Sequence, residues 1–153
     1  YIKQLIEEYD IFYVEDPIDE KEFYWFWKLM DEINPGRTLI VGDDLTATNY
    51  SRLKKAIRKK AINAIIIKPN QNGSLFETKK VIDLARKHGL KIIISHRSGE
   101  TMDDTIADLA VGWQADFIKC GIHGKERRAK LKRMMEIERR ISKSDIKKRA
   151  KKR

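Results

Sequence analysis

Five short apolar runs punctuate the chain: Ile11–Val14, Thr38–Val41, Ala64–Ile67, Lys91–Ile94 and Asp116–Ile118. They are rich in Ile and Val and do not alternate with polar residues. Such runs read as strands buried on both faces, the habit of parallel sheets. Helical spacing fills the intervals. Ile2, Leu5, Ile6 and Tyr9 follow i, i+3, i+4, i+7, and Phe23, Phe26, Trp27 and Met30 repeat that spacing. Leu53, Ala56 and Ile57 mark a third helix, opened by Thr48 or Asn49. Ser74 and Glu77 form a capping-box pair before a fourth, and Gly89 stands where a helix ends. A fifth is expected near Asp103–Val111. The last carries Leu131, Met134, Met135 and Ile141 on one side, with basic residues on the other.

One helix followed by five βα units predicts an α/β fold with a parallel sheet and right-handed crossovers. Each apolar run ends in a polar residue: Glu15, Asp43, Lys68, His96 and Lys119, spaced by 28, 25, 28 and 23 residues. That period is one βα unit. In a (β/α) barrel all strand C-termini open on one face, where active sites are built. The expected architecture is a (β/α)-barrel arrangement of about five units. A doubly wound open sheet is the alternative. It would present a switch-point crevice, usually with a G-x-G-x-x-G turn, and that motif is absent from the sequence.

The clustering of ionisable groups on one rim points to chemistry, because a half-buried charge is costly unless partnered. Glu15 and Asp43 on rigid strand ends suit a hard cation such as Mg²⁺, although two carboxylates alone make a thin site. Their competing use is to cap the following helices. Lys68 at a sheltered rim can have its pKa lowered and act as a base, or can lie on the surface with its head in water. Arg97 and Ser98, in the run Ser95–Thr101, offer a planar fork and a hydroxyl for a phosphoryl group, the alternative being a hydrogen-bonded βα loop. His88 and His123 have no ligand spacing for zinc, and Cys120 reads as a packing residue.

Composition changes this picture in one place. The 153 residues carry a net charge of +10, and it is not evenly spread. From Lys125 to Arg153 there are 15 Lys/Arg against 4 Asp/Glu, while the first 124 residues hold 18 against 19. The expected division is a barrel portion at 1–141 and a flexible basic tail at 142–153. Such a tail is either a solvated terminus or a surface for nucleic acid or an acidic partner. No apolar run reaches the ~20 residues of a membrane span. A single cysteine and no secretory leader make the cytoplasm the default compartment. The chain does not open on Met, which hints at a fragment or a processed product.

The segments EDP at 15–17, GDDLTATN at 42–49, KPNQNGSLFET at 68–78, SHRSGETMDDTIADLAVG at 95–112, and IKCG with KER up to residue 127 resemble the C-terminal half of enolases in order and spacing. The resemblance runs from Tyr1 to Ile141. It implies a partial (β/α)8 TIM barrel and Mg²⁺-dependent interconversion of 2-phosphoglycerate and phosphoenolpyruvate. Lys68 then matches the base at C2, and Glu15 and Asp43 match two of three metal carboxylates. Arg97 and Ser98 match phosphate contacts, Lys119 the lysine at the substrate's anionic end, and His96 a histidine lining the site. Glu15 and Asp43 also approach the substrate through the metal. The third metal carboxylate, the acid and the closing loop would lie before this segment, so an oligomer or a complementing chain is expected to cover the open edges. Residues 117–124 depart from the family's usual threonine-, alanine- and proline-bearing loop. Two other readings stand beside catalysis: a non-catalytic module whose tail binds RNA or an acidic partner, and a related enzyme acting on another carboxylate.

Overall fold

The computed structural model describes the backbone of residues 1–150 and the side chains of residues 1–143. Within these bounds the chain divides into two compact units, Tyr1–Ile93 and a second that begins at Ile94. Its strands are β1 (Tyr13–Glu15), β2 (Leu39–Gly42), β3 (Ala64–Ile67), β4 (Lys91–Ser95) and β5 (Phe117–Lys119). The helices are α1 (Ile2–Tyr9), α2 (Phe23–Glu32), α3 (Tyr50–Lys59), α4 (Pro69–Asn72), α5 (Leu75–Lys87), α6 (Thr105–Gly112) and α7 (Lys125–Ala150). The sheet order β1-β2-β3-β4-β5 follows the sequence without reversal. A doubly wound sheet reverses its order at a switch point, so that alternative is set aside.

In the first unit β1 and β2 pair in parallel with Val14 opposite Ile40 and Glu15 opposite Val41. β2 and β3 pair in parallel with Val41 opposite Ala64. Leu39, Val41, Ala64, Ile66 and Ile93 form one buried cluster, with Tyr13 packed against it. The intervening residues Ile40, Ile65, Ile67 and Ile92 are also buried, and strand geometry turns them to the opposite face. This is the two-faced burial that the unbroken Ile/Val runs predict. It holds for β2 and β3 throughout and for β4 after Lys91. It does not hold for β1, which is half-buried, or for β5, where Phe117 and Lys119 are exposed. Those two strands end the order, so each has a covering neighbour on one side at most.

Helix ends obey local rules. Asn49, not Thr48, caps α3: its side chain accepts from the Ser51 and Arg52 amides. Ser74 caps α5 by accepting from the Glu77 amide, while the Glu77 carboxylate turns to Lys80 instead of closing the capping box. Gly89 follows α5 with φ +72, as a terminating glycine should. Helix α4 was not legible beforehand. It is one turn long, with Pro69 at its start and Gly73 (φ +82) at its end, too short to show a period. The expected basic tail at 142–153 lies largely outside the residues whose side chains are described. No helix among the described residues is long and apolar enough to cross a membrane.

One side chain fastens the β2–β3 register. The Asn63 Oδ1 accepts the Ile40 amide at 2.8 Å, while its Nδ2 donates to the Thr38 carbonyl at 2.8 Å and the Pro35 carbonyl at 3.2 Å. Ile40 is fully buried, so its amide has no water to turn to. Asn63→Ala should therefore cost about 1–3 kcal/mol, the cost of an unsatisfied buried donor. A urea titration should show a lower midpoint with an unchanged slope.

Candidate functional site

Glu15 is the last residue of β1, Asp43 follows β2, and Lys68 follows β3 and precedes α4. The parallel pairing of these strands puts all three at the same sheet edge. Two of them touch. The Lys68 Nζ donates to Asp43 Oδ2 at 2.5 Å, and the two side chains are only 14% and 10% exposed. Lys68 is thus not a surface lysine. Asp43 Oδ1 is buried with no hydrogen-bond partner. Burial pushes the Asp43 carboxyl above its usual range. Lys68 opposes that shift, while the charges of Glu15 and Asp44 add to it. Glu15 Oε2 accepts from the Tyr13 hydroxyl at 2.9 Å. Burial, and then that bond to Glu15, hold the Tyr13 hydroxyl well above its ordinary value, so Tyr13 acts as a donor.

Asp16, the acid that follows Glu15, has a different task. Asp16 takes the Asp43 amide on Oδ1 at 3.0 Å and the Asp44 amide on Oδ2 at 2.6 Å. Both oxygens are thereby spent on the backbone that presents Asp43. Burial raises the Asp16 carboxyl despite these two bonds. Neither Asp43 nor Asp16 serves as the side-chain cap of a helix, which removes the competing use for the rim acids. The loop after β2 is fixed by further bonds. Arg52 donates to the carbonyls of Leu45, Asp44 and Glu20. Gly42 lets β2 enter this loop closely packed: a Cβ there would lie 3.1 Å from the Thr46 methyl and 3.2 Å from Ile62, and both would have to give by a few tenths of an ångström.

Thr48 holds Lys68 from behind. Its Oγ1 accepts the Lys68 amide at 2.9 Å and donates to Gln71 Oε1 at 3.1 Å, and its carbonyl accepts from Asn72 at 3.0 Å. Thr48 is fully buried, and both it and Ala47 have positive φ, +50 and +47. A β-branched residue in that region is strained. The three bonds offset the strain.

In the second unit, His96 follows β4 and Lys119 ends β5, and the His96 amide donates to the Lys119 carbonyl at 2.9 Å. His96 Nδ1 is buried without a hydrogen-bond partner. Burial lowers the His96 pKa, and the cations Arg127, Lys119 and Lys130 lower it further against the opposing charge of Glu100. The imidazole therefore favours its neutral form. Arg97 and Ser98 are exposed on the bend that follows. Arg97 is held by its backbone, whose amide donates to Glu100 Oε1 at 2.9 Å. Glu100 in turn pairs with Lys130 from α7. Cys120 is buried, and burial pushes its thiol up, as a packing residue's should be. Gly121 has φ +66 with the stem of Arg127 laid against it, 2.7 Å from where a Cβ would stand.

Tyr13, Asp16, Thr48, Arg52, Glu100 and Lys130 were missed as site-shaping residues. Only Lys130 left a readable sign. It shares the helical stripe of Met134, Ile137 and Ile141, a lysine where the pattern asks for an apolar residue. Among the described residues, no three His, Cys, Asp or Glu side chains are gathered closely enough to hold a metal on their own. Asp43 Oδ1 is nevertheless a buried carboxylate oxygen without a partner, and Glu15 supplies a second carboxylate at the same edge.

Parallel βα units in sequential order, with acids and a lysine at their strand ends, are the layout of a partial (β/α) barrel. The sequence profile described as "Enolase, C-terminal TIM barrel domain" matches residues 1–152, and the chain belongs to that family. It is 49% identical over 138 residues to the enolase of Methanocorpusculum labreanum, and 51% over 137 residues to that of Halorubrum lacusprofundi. The enolase of Sulfurisphaera tokodaii is 48% identical over 139 residues. Each comparison covers 90% of this chain, but only 35%, 34% and 33% of those relatives. The chain spans about a third of the length of the curated relatives it matches.

Two outcomes follow from these pairs. Asp43→Ala leaves the Lys68 ammonium uncompensated and should cost about 3 kcal/mol, the low end for buried pairs because both groups keep some solvent contact. The double variant Asp43→Asn, Lys68→Met should recover most of that loss, as read by urea midpoints. Glu100 carries the second. Burial alone would raise its carboxyl, but the Arg97 amide and Lys130 outweigh that and hold it below 4.5. A depressed carboxylate stabilises the fold above its unfolded value and loses that contribution as pH falls through its folded value. Denaturation midpoints should fall as pH drops below about 4.5, and Glu100→Gln should flatten that fall.

Proposed function

We propose that this chain is the C-terminal barrel portion of an enolase-like lyase. In this reading it works with the rest of the barrel to interconvert 2-phosphoglycerate and phosphoenolpyruvate in the cytoplasm. The observation that carries the proposal is the Lys68–Asp43 pair at adjacent strand ends, with one Asp43 oxygen committed to the lysine and the other unshared. That arrangement sets a base and a cation-seeking oxygen side by side, in a chain that matches the family along nearly its whole length.

In this reading Lys68 takes the proton from C2 of the substrate. Its backbone is fixed by Thr48 and its head group is held at the rim by Asp43; the ammonium would have to give up a proton before it could act as the base. Glu15 and Asp43 hold Mg²⁺, and a third ligand comes from the remainder of the protein or from substrate oxygen. The bound cation would neutralise the charge that develops beside the substrate carboxylate. Arg97 and Ser98 take the phosphoryl group, Lys119 the carboxylate end, and neutral His96 lines the site as a hydrogen-bonding group. The phosphate-directed pair Arg97–Ser98 favours a phosphorylated substrate over a related acid without phosphate.

The test is C2 proton exchange of 2-phosphoglycerate in D₂O, with the chain supplied with the N-terminal two-thirds of an archaeal relative. Exchange should need Mg²⁺. Lys68→Ala should lower it by about 10²–10⁴-fold, the usual share of a general base. Exchange at the unaltered rate in that variant rejects Lys68 as the base.

A further inference from the structure

Lys130 is 1% exposed, the most enclosed charged side chain among the described residues. Its ammonium meets the carboxylate of Glu100 through Oε2 and donates to the Thr101 carbonyl at 2.6 Å. The other Glu100 oxygen, Oε1, accepts the Arg97 amide at 2.9 Å. One carboxylate therefore bridges a buried cation on α7 to the start of the loop that follows β4. The loop is closed at three points, Arg97, Glu100 and Thr101, all within five residues. Arg97 and Ser98 are themselves exposed.

Burying an ammonium is costly, and an apolar side chain on this helix stripe would fill the same space more cheaply. Met134 and Ile137, on the same stripe, are of that apolar kind. A charge kept at such a position is best spent on fixing one geometry among several. We propose that Lys130 is a positioning residue that acts through Glu100 to fix the backbone of Arg97 and Ser98 and so aim the anion-binding loop. The proposal rests on the reading of that loop as a phosphate clamp.

The surrounding field agrees. Glu100 is held below its ordinary value in part by Lys130, and Lys130 also lowers the pKa of His96 and of Asp103. Arg133, on the same helix, pairs instead with Asp108 of α6 through two bonds of 2.9 and 2.7 Å. It is a control of matched chemistry that does not touch the loop.

The experiment uses the full chain and backbone amide NMR. In Lys130→Met the Arg97 amide should shift and its hydrogen exchange should quicken at least tenfold, while the amides of Ala107 and Ala110 in α6 stay as they were. Glu100→Ala should give the same pattern, and it keeps the test alive should Lys130→Met fail to fold. Arg133→Met should leave the Arg97 amide unchanged even where it lowers the melting temperature. A purely structural lysine predicts instead that Arg97 and the α6 amides change together. An Arg97 amide that is unaltered in both folded loop variants overturns the proposal.

A titration with inorganic phosphate, followed at Arg97 and Ser98, separates the two layers of the argument. Affinity should fall at least tenfold in Lys130→Met. Wild-type chain that ignores phosphate while the variants still loosen Arg97 refutes the clamp and supports the positioning role. Phosphate bound equally by wild type and variants, with Arg97 unmoved, refutes the positioning role and leaves the clamp standing.

Discussion

A charge placed at the mouth of a buried strand must be met by an opposite charge or a hydrogen bond, and this requirement organises the rim. The β2 and β3 strands that carry Asp43 and Lys68 are buried along their whole length, so neither side chain can retreat fully into water. Each becomes the other's partner. The loops behind them then have to hold that pair in place. Asp16 takes the amides before and after Asp43, Arg52 takes three carbonyls, and Thr48 takes the Lys68 amide. Satisfying one pair of charges thus draws in polar groups from the loops after β1, β2 and β3.

The same logic runs in the second unit with different residues. Lys119, Arg127 and Lys130 concentrate positive charge around His96, with Glu100 set among them as a counterweight. The outcome is a field that suits an anion, with an imidazole kept neutral by its surroundings. A fold that only needed stability would have little use for so many like charges close together, because each raises the cost of the next.

Much of this was legible in the sequence. The Ile/Val runs gave β2, β3 and β4 because full burial leaves no polar alternation to misread. Three of the polar residues that end the runs, Glu15, Asp43 and Lys68, lie together at the ends of paired parallel strands, as their spacing at the βα period predicts. Where burial is incomplete the signal weakened: β1 begins two residues later than the apolar run, and β5 is exposed at both ends. The partners of the rim residues were not legible. Asp16, Thr48 and Arg52 act through side chain to backbone bonds across 20 to 32 residues, and such bonds leave no periodic trace. Lys130 left a trace only as a lysine out of place on an apolar stripe, and a solvated lysine leaves the same one.

Thr48 also constrains how this segment can change over time. Loops ordinarily accept inserted or deleted residues freely, because little beyond their ends is fixed. Here the loop after β2 and the turn after β3 share one threonine, whose hydroxyl and carbonyl reach Lys68, Gln71 and Asn72. A change of length in either loop would pull that threonine away from the other. The two loops are therefore mechanically one piece, and lengthening one of them would require rebuilding its neighbour.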